Sequence, residues 1–250
     1  MSKADPGLIE AEDISVALGL LTRLPVPGGT RGARAAWAWP VAGFLVALIA
    51  GLCGWFLLAI GLVPGVAAAT VLGILAMLTG AMHEDGLADS ADGLFGGWTV
   101  ARRLEIMKDS RIGTYGMLAL LLVTLARWSA LSFLLATGHT LAPLIVAAML
   151  SRAALPLAMI AMPNARGEGL SQSAGVPPRP SAALGLVLAL IAAIALLGWA
   201  AIPVVLAAAV PIIALALLAQ VKIGGQTGDI LGAMQQLGEV AVLSALCGLV

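Results

Sequence analysis

The chain has 250 residues, of which 61% are hydrophobic and only 10% charged, where a soluble globular domain carries roughly 25% charged residues. Its 13 basic and 13 acidic residues cancel, so no global field draws it to nucleic acid or to an anionic surface. A mean hydropathy of +1.05 leaves a polytopic membrane protein. The N-terminal segment carries Asp5, Glu10, Glu12 and Asp13 against Lys3, the wrong charge for a cleaved leader. Over residues 8–22, Ile14, Leu18 and Leu21 predict an amphipathic helix lying on the membrane surface, ended by Pro25 and Pro27. Six stretches then reach the length of about 20 apolar residues that a crossing needs: 38–61, 64–82, 116–136, 141–162, 182–200 and 202–221. A seventh, 240–250, is short. The expected fold is all-α, a polytopic membrane bundle of six long transmembrane helices plus a short seventh, in one domain over residues 1–250. The two cysteines, Cys53 and Cys247, lie in apolar runs without zinc or redox spacing and read as small buried hydrophobes.

Charge placement sets the expected orientation. The connections near 61–65, 138–143 and 198–203 carry no Lys, Arg, Asp or Glu, while Lys3, Arg23, Arg31, Arg34, Arg102, Arg103, Lys108, Arg111, Arg166, Arg179 and Lys222 fall in the others. By the positive-inside rule that side, and the N-terminus, is cytoplasmic. Arg127 and Arg152 fall inside spans, either as structural ion pairs or facing a polar cavity. The acidic residues are expected on or near the cytoplasmic face too. Acids do not set topology, so this second asymmetry points to a functional surface.

The most informative stretch is residues 83–115. If the second span continues as a helix past Thr79, then Asp85, Asp89 and Asp92 recur at i, i+4 and i+7 and share one face. Like charges at that spacing repel by roughly 0.2 to 0.5 kcal/mol per pair, so a cation is expected between them. Carboxylates without thiolates favour Mg²⁺ or Mn²⁺, and Mg²⁺ is usually held by one or two carboxylates plus substrate phosphates. A second pair, Glu105 and Asp109, is interleaved with Arg102, Arg103, Lys108 and Arg111. Acids for metal beside cations for phosphate oxygens make up a phosphoryl-transfer site. His83 reads as a metal ligand, a base or a polar helix cap. A second polar island, 222–238, offers Gln226, Thr227 and Asp229 on a Gly-rich loop, and Arg166 sits in a similar, weaker loop.

With these residues laid out, the chain resembles the cobalamin synthase (adenosylcobinamide-GDP ribazoletransferase) family. The resemblance rests on Thr22-Arg-Leu-Pro-Val-Pro27, His83-Glu-Asp-Gly-Leu-Ala-Asp-Ser-Ala-Asp-Gly93, the run Arg103 to Gly116, Ala165-Arg-Gly-Glu-Gly169, and Gly224 to Ala233, spread over the whole chain. It implies a bacterial inner-membrane enzyme with a cytoplasmic site. There α-ribazole, or its 5′-phosphate, attacks the cobinamide-proximal phosphorus of adenosylcobinamide-GDP and releases GMP. Mg²⁺ is the implied cofactor, on Asp85, Asp89 and Asp92, with Glu105 and Asp109 completing the metal site or accepting a proton. Arg102, Arg103, Lys108 and Arg111 would neutralise the phosphates.

Two other readings remain at this point. Asp89-Ser-Ala-Asp92-Gly93 followed by Glu105 and Asp109 looks like part of the CDP-alcohol phosphotransferase signature, although Gly96-Gly97 stands where that family has Ala-Arg. An ion-coupled transporter is the more remote alternative, since no internal repeat relates the two halves of the chain. The many Ala and Gly along the spans permit close packing, within the chain or in a homo-oligomer.

Overall fold

A computed structural model describes residues 7–250; the Lys3 and Asp5 charges lie outside the described residues. Eleven α-helices follow in order: α1 (Asp13–Leu21), α2 (Trp39–Ala59), α3 (Pro64–Thr79), α4 (Met82–Gly96), α5 (Val100–Ile106), α6 (Thr114–Ala136), α7 (Leu141–Ala161), α8 (Leu170–Ala174), α9 (Arg179–Leu197), α10 (Ala201–Ile223) and α11 (Gly228–Cys247). Short 3₁₀ segments, Gly32–Ala38 and Gly198–Ala200, lead into α2 and α10. The protein is an all-helical, multi-pass membrane bundle. Five helical runs are long and apolar enough to cross a bilayer, or six if α3 and α4 count as one bent span.

The central post is α7, 78% buried along its apolar window where that of α6 is 28% buried. Its Ala147, Ala148 and Ala153 are almost wholly enclosed; small side chains let neighbouring helices approach closely where lipid supplies no hydrophobic drive. The run Arg179–Ile223 has 45 residues, about 67 Å at 1.5 Å per residue, which is roughly twice the ~30 Å hydrocarbon thickness. Ser181 near its start accepts from the Trp37 amide (3.0 Å) and donates to the Arg34 carbonyl (2.7 Å). Near its other end, Lys222 Nζ donates to the Leu94 carbonyl (2.8 Å). Both ends therefore lie where α1, α4 and the charged loops gather, and the run crosses and returns at Gly198.

Three expectations are corrected. The apolar stretch 64–82 does not continue as one helix. Gly80 (φ 65°) and Ala81 (φ 55°) both adopt the left-handed conformation, and α4 leaves at 89° to α3. The last apolar segment, 240–250, spans together with the residues before it, because α11 runs unbroken for 20 residues from Gly228, and most of the expected loop 222–238 is therefore helix. The N-terminal helix starts at Asp13, not residue 8, and Ile14 of its expected apolar face is exposed. Asp13 itself is fully buried, accepting from Arg31 Nε (2.5 Å), Trp37 Nε1 (2.7 Å) and the Glu10 amide (2.9 Å). Those bonds tie α1 to the segment that enters α2, so it packs on the bundle.

Candidate active site

The acidic helix α4 is held between α6 and α11. Its first turn carries Glu84 and Asp85, where the positive end of the helix dipole favours negative charge. Its crossing with α11 is backbone on backbone: a Cβ on Gly86 would lie 2.8 Å from the Asp229 carbonyl, and one on Gly232 would lie 3.3 Å from the Gly86 Cα. Only glycine at both positions permits that approach, and it sets Asp229 beside Asp85.

The start of α4 is fastened by a buried ion network. Glu84 Oε1 accepts from Arg127 Nη1 (3.2 Å) and Gln236 Nε2 (3.1 Å). Arg127 also pairs with Glu239, which accepts from Gln235 Nε2 (2.5 Å) and faces Arg152 Nη1 at 4.0 Å. Two guanidinium groups thus meet two carboxylates away from solvent, so the arginines within the spans are structural ion pairs. Glu239 corrects the expectation that the acids lie near one face, since it sits well inside α11 and is 3% exposed.

Two cavities flank the acidic helix. The first, of about 530 Å³, is lined by Glu84, Asp85, Asp89, Lys108, Asp109 and Arg111. Asp109 is clasped by Arg111 through Nε (3.1 Å) and Nη2 (2.8 Å); these bonds hold its carboxyl down at about 2. The second, of about 200 Å³, is lined by Trp39, His83, Asp85, Arg166, Glu168 and Asp229 together with leucine and methionine side chains. Asp85 belongs to both walls. Arg166 Nη2 donates to Asp229 Oδ2 (2.6 Å). Lys108, on the rim of the first cavity, pairs with Glu168 on the rim of the second, and this contact lowers the Glu168 carboxyl below its usual range.

The remaining sequence candidates go elsewhere. Asp92 does not share the cleft with Asp85 and Asp89: its oxygens accept from the Gly113 amide (2.6 Å) and the Gly116 amide (2.9 Å), anchoring the start of α6. Glu105 pairs with Arg102 (2.7 Å) on the exposed face of α5 and lines neither cavity. Arg103 donates to the Lys222 carbonyl (2.8 Å), stitching α5 to the end of α10. Thr227 caps α11 by accepting from the Ile230 amide (3.3 Å). Gln226 clasps the loop before α8 through its backbone, donating to the Pro163 carbonyl (2.9 Å) and accepting from the Ala165 amide (2.8 Å). Trp39 and Glu168 were not singled out from sequence. A tryptophan near a span end reads as an interface anchor, and only the Arg166–Glu168 spacing hinted that both ends of that loop face one cavity.

Among the described residues no three carboxylate, imidazole or thiol groups converge as a metal-binding set. Asp85 and Asp89, one turn apart on the same cleft wall, match the sparser mode in which Mg²⁺ takes one or two carboxylates and completes its shell with substrate phosphates and water.

Such a bundle, with acids and cations around a cleft at one end, is that of a multi-pass membrane protein. Comparison with known sequences narrows this further. The family model described as Cobalamin-5-phosphate synthase matches residues 13–247, and the chain belongs to that family. A Bradyrhizobium diazoefficiens protein named adenosylcobinamide-GDP ribazoletransferase is 46% identical over 238 residues, covering 92% of this chain and 91% of its own. Proteins of the same name from Mesorhizobium japonicum and Brucella ovis are 42% and 43% identical, covering 93% and 92% of this chain and 91% and 94% of their own. No solved structure matches the chain.

Proposed function

We propose that this protein joins adenosylcobinamide-GDP to α-ribazole, or to its 5′-phosphate, releasing GMP and closing the nucleotide loop of the cobamide. The observation that carries the reading is the first cavity, where Asp85 and Asp89 face Lys108 and Arg111 across one cleft in a chain of this family. A ribose hydroxyl oxygen of the acceptor bonds to the cobinamide-proximal phosphorus while the bond from that phosphorus to the GMP oxygen breaks. Lys108 and Arg111 stabilise the charge that gathers on the phosphate oxygens and on departing GMP. Asp85, which borders both cavities, is placed to accept the hydroxyl proton. Asp85 and Asp89 would hold Mg²⁺, which would supply neutralising positive charge to the phosphates. Arg127, Glu84 and Glu239 hold α4 in register. A nucleotide-linked donor places this end of the bundle on the cytoplasmic side of the bacterial inner membrane, in keeping with the basic residues gathered in those loops.

The test is turnover by purified protein in detergent or liposomes with adenosylcobinamide-GDP, α-ribazole and Mg²⁺, following GMP and cobamide by chromatography. Equimolar products are expected, lost in Asp89→Asn and in EDTA and restored by added Mg²⁺. Absence of product from folded, metal-supplied protein would overturn the reaction, and activity indifferent to EDTA would remove the metal from it.

A further inference from the structure

The second cavity, behind α4, offers the donor fewer cations than the first. Asp85, Glu168 and Asp229 face one guanidinium, Arg166, which pairs with Asp229 (2.6 Å). A diphosphate finds two cations, Lys108 and Arg111, on the other side of α4, each paired with a single carboxylate, Glu168 and Asp109. The walls further in are apolar and aromatic, formed by Trp39, Leu155, Met159 and His83. Trp39 and His83 are 3% and 2% exposed, and neither Trp39 Nε1 nor His83 Nε2 has a hydrogen-bond partner. Unmade hydrogen bonds on buried ring nitrogens are costly, and a ligand carrying its own ring nitrogens is a natural partner for them. An apolar cavity of about 150 Å³ takes a benzene ring, so the 200 Å³ here suits a slightly larger flat ring system.

We propose that this cavity seats the fused aromatic base of the acceptor nucleoside, stacked by Trp39 and flanked by His83, with its sugar turned toward Asp85. The assignment rests on the reaction proposed above and adds the place of each substrate: acceptor behind α4, diphosphate donor in front of it, Asp85 between. Base preference is then set by Trp39, Met159 and Leu155, residues remote from the phosphate chemistry.

Steady-state kinetics with each substrate varied in turn test this, using Trp39→Leu to remove the stacking ring and Met159→Trp to fill the cavity. The KM for α-ribazole is expected to rise about tenfold or more, as loss of one base-stacking contact implies, while the KM for adenosylcobinamide-GDP stays within about twofold of wild type. Trp39→Phe, which keeps a ring, should recover most of the loss. Gel filtration confines the comparison to folded protein, and Met159→Trp carries the test if Trp39→Leu does not fold. An unchanged acceptor KM in folded variants of a wild-type enzyme that turns over would overturn the subsite and leave the reaction standing. Equilibrium dialysis of labelled α-ribazole without donor separates the converse case: binding lost in Met159→Trp, with no product from wild type, keeps the subsite and removes the reaction.

Discussion

Replacing Asp92 separates an anchoring acid from a chemical one. Its carboxylate is 7% exposed and accepts from the amides of Gly113 at 2.6 Å and Gly116 at 2.9 Å. Hydrogen bonds to an ionised group are worth about 1.5–3 kcal/mol each. In Asp92→Ala the exposed Gly113 amide regains water, whereas the buried Gly116 amide does not, so the loss should fall at about 2–4 kcal/mol rather than twice the single-bond figure. At about 2–4 °C per kcal/mol for a chain of this size, the melting midpoint should drop by roughly 5–15 °C. Thermal melting in detergent, followed by tryptophan fluorescence, measures that shift, and turnover is assayed well below both midpoints. Asp92→Asn, keeping one acceptor oxygen, should lose about half as much and retain turnover. Asp89→Asn should melt like wild type and be inactive. The reasoning fails if Asp92→Asn melts like wild type yet makes no product, because the carboxylate would then be acting on substrate or metal.

Other consequences are as direct. Glu239→Gln leaves Arg127, 3% exposed, with Glu84 alone and Arg152, also 3% exposed, with no carboxylate partner, which should cost about 3–5 kcal/mol; the double change Glu239→Leu with Arg127→Leu should melt higher than the single one, and a lower midpoint would contradict the network. Ala81 holds φ 55° without being glycine, a strain of about 1–2 kcal/mol, so Ala81→Gly should raise the midpoint by a few degrees; no rise would show the break is unstrained. Asp109, held at about 2 by Arg111, stays ionised through the ordinary carboxylate range, and its attraction to Arg111 is lost only as pH falls through about 2. Carbon-detected NMR of labelled aspartate should find no Asp109 titration near pH 4, and Arg111→Gln should move its titration up toward the ordinary value of about 3.9.

Apolar length located the spans from Trp39 to Ala59 and from Leu141 to Ala161, because nothing polar interrupts the first and only Ser151 and Arg152 interrupt the second. The same criterion hid the first half of α11. Gln236 and Glu239 look like loop residues until Arg127 and Arg152, more than 80 positions earlier, are seen to be their partners. Helical spacing correctly placed Asp85 and Asp89 on one cleft wall. It could not separate them from Asp92, since an acid facing a cleft and an acid facing backbone amides 21 and 24 positions ahead have the same periodicity. The second cavity was illegible for a related reason: α1, α2, α4, α7, α8, α11 and the loop before α8 each lend it one to three side chains, so no local run of sequence announces it.

Because α11 packs against α4, α6, α7 and α10 and follows all of them in the chain, the order of synthesis bears on when the site exists. Until α11 arrives, Arg127 and Arg152 lack Glu239, and Asp85 lacks the neighbour that walls the second cavity. A nascent chain halted before Gly228 therefore carries most of the cleft acids without an enclosed cleft. It also leaves Arg152 without a carboxylate partner and Arg127 with Glu84 alone. The arrival of α11 thus turns a set of inserted helices into an enclosed cleft.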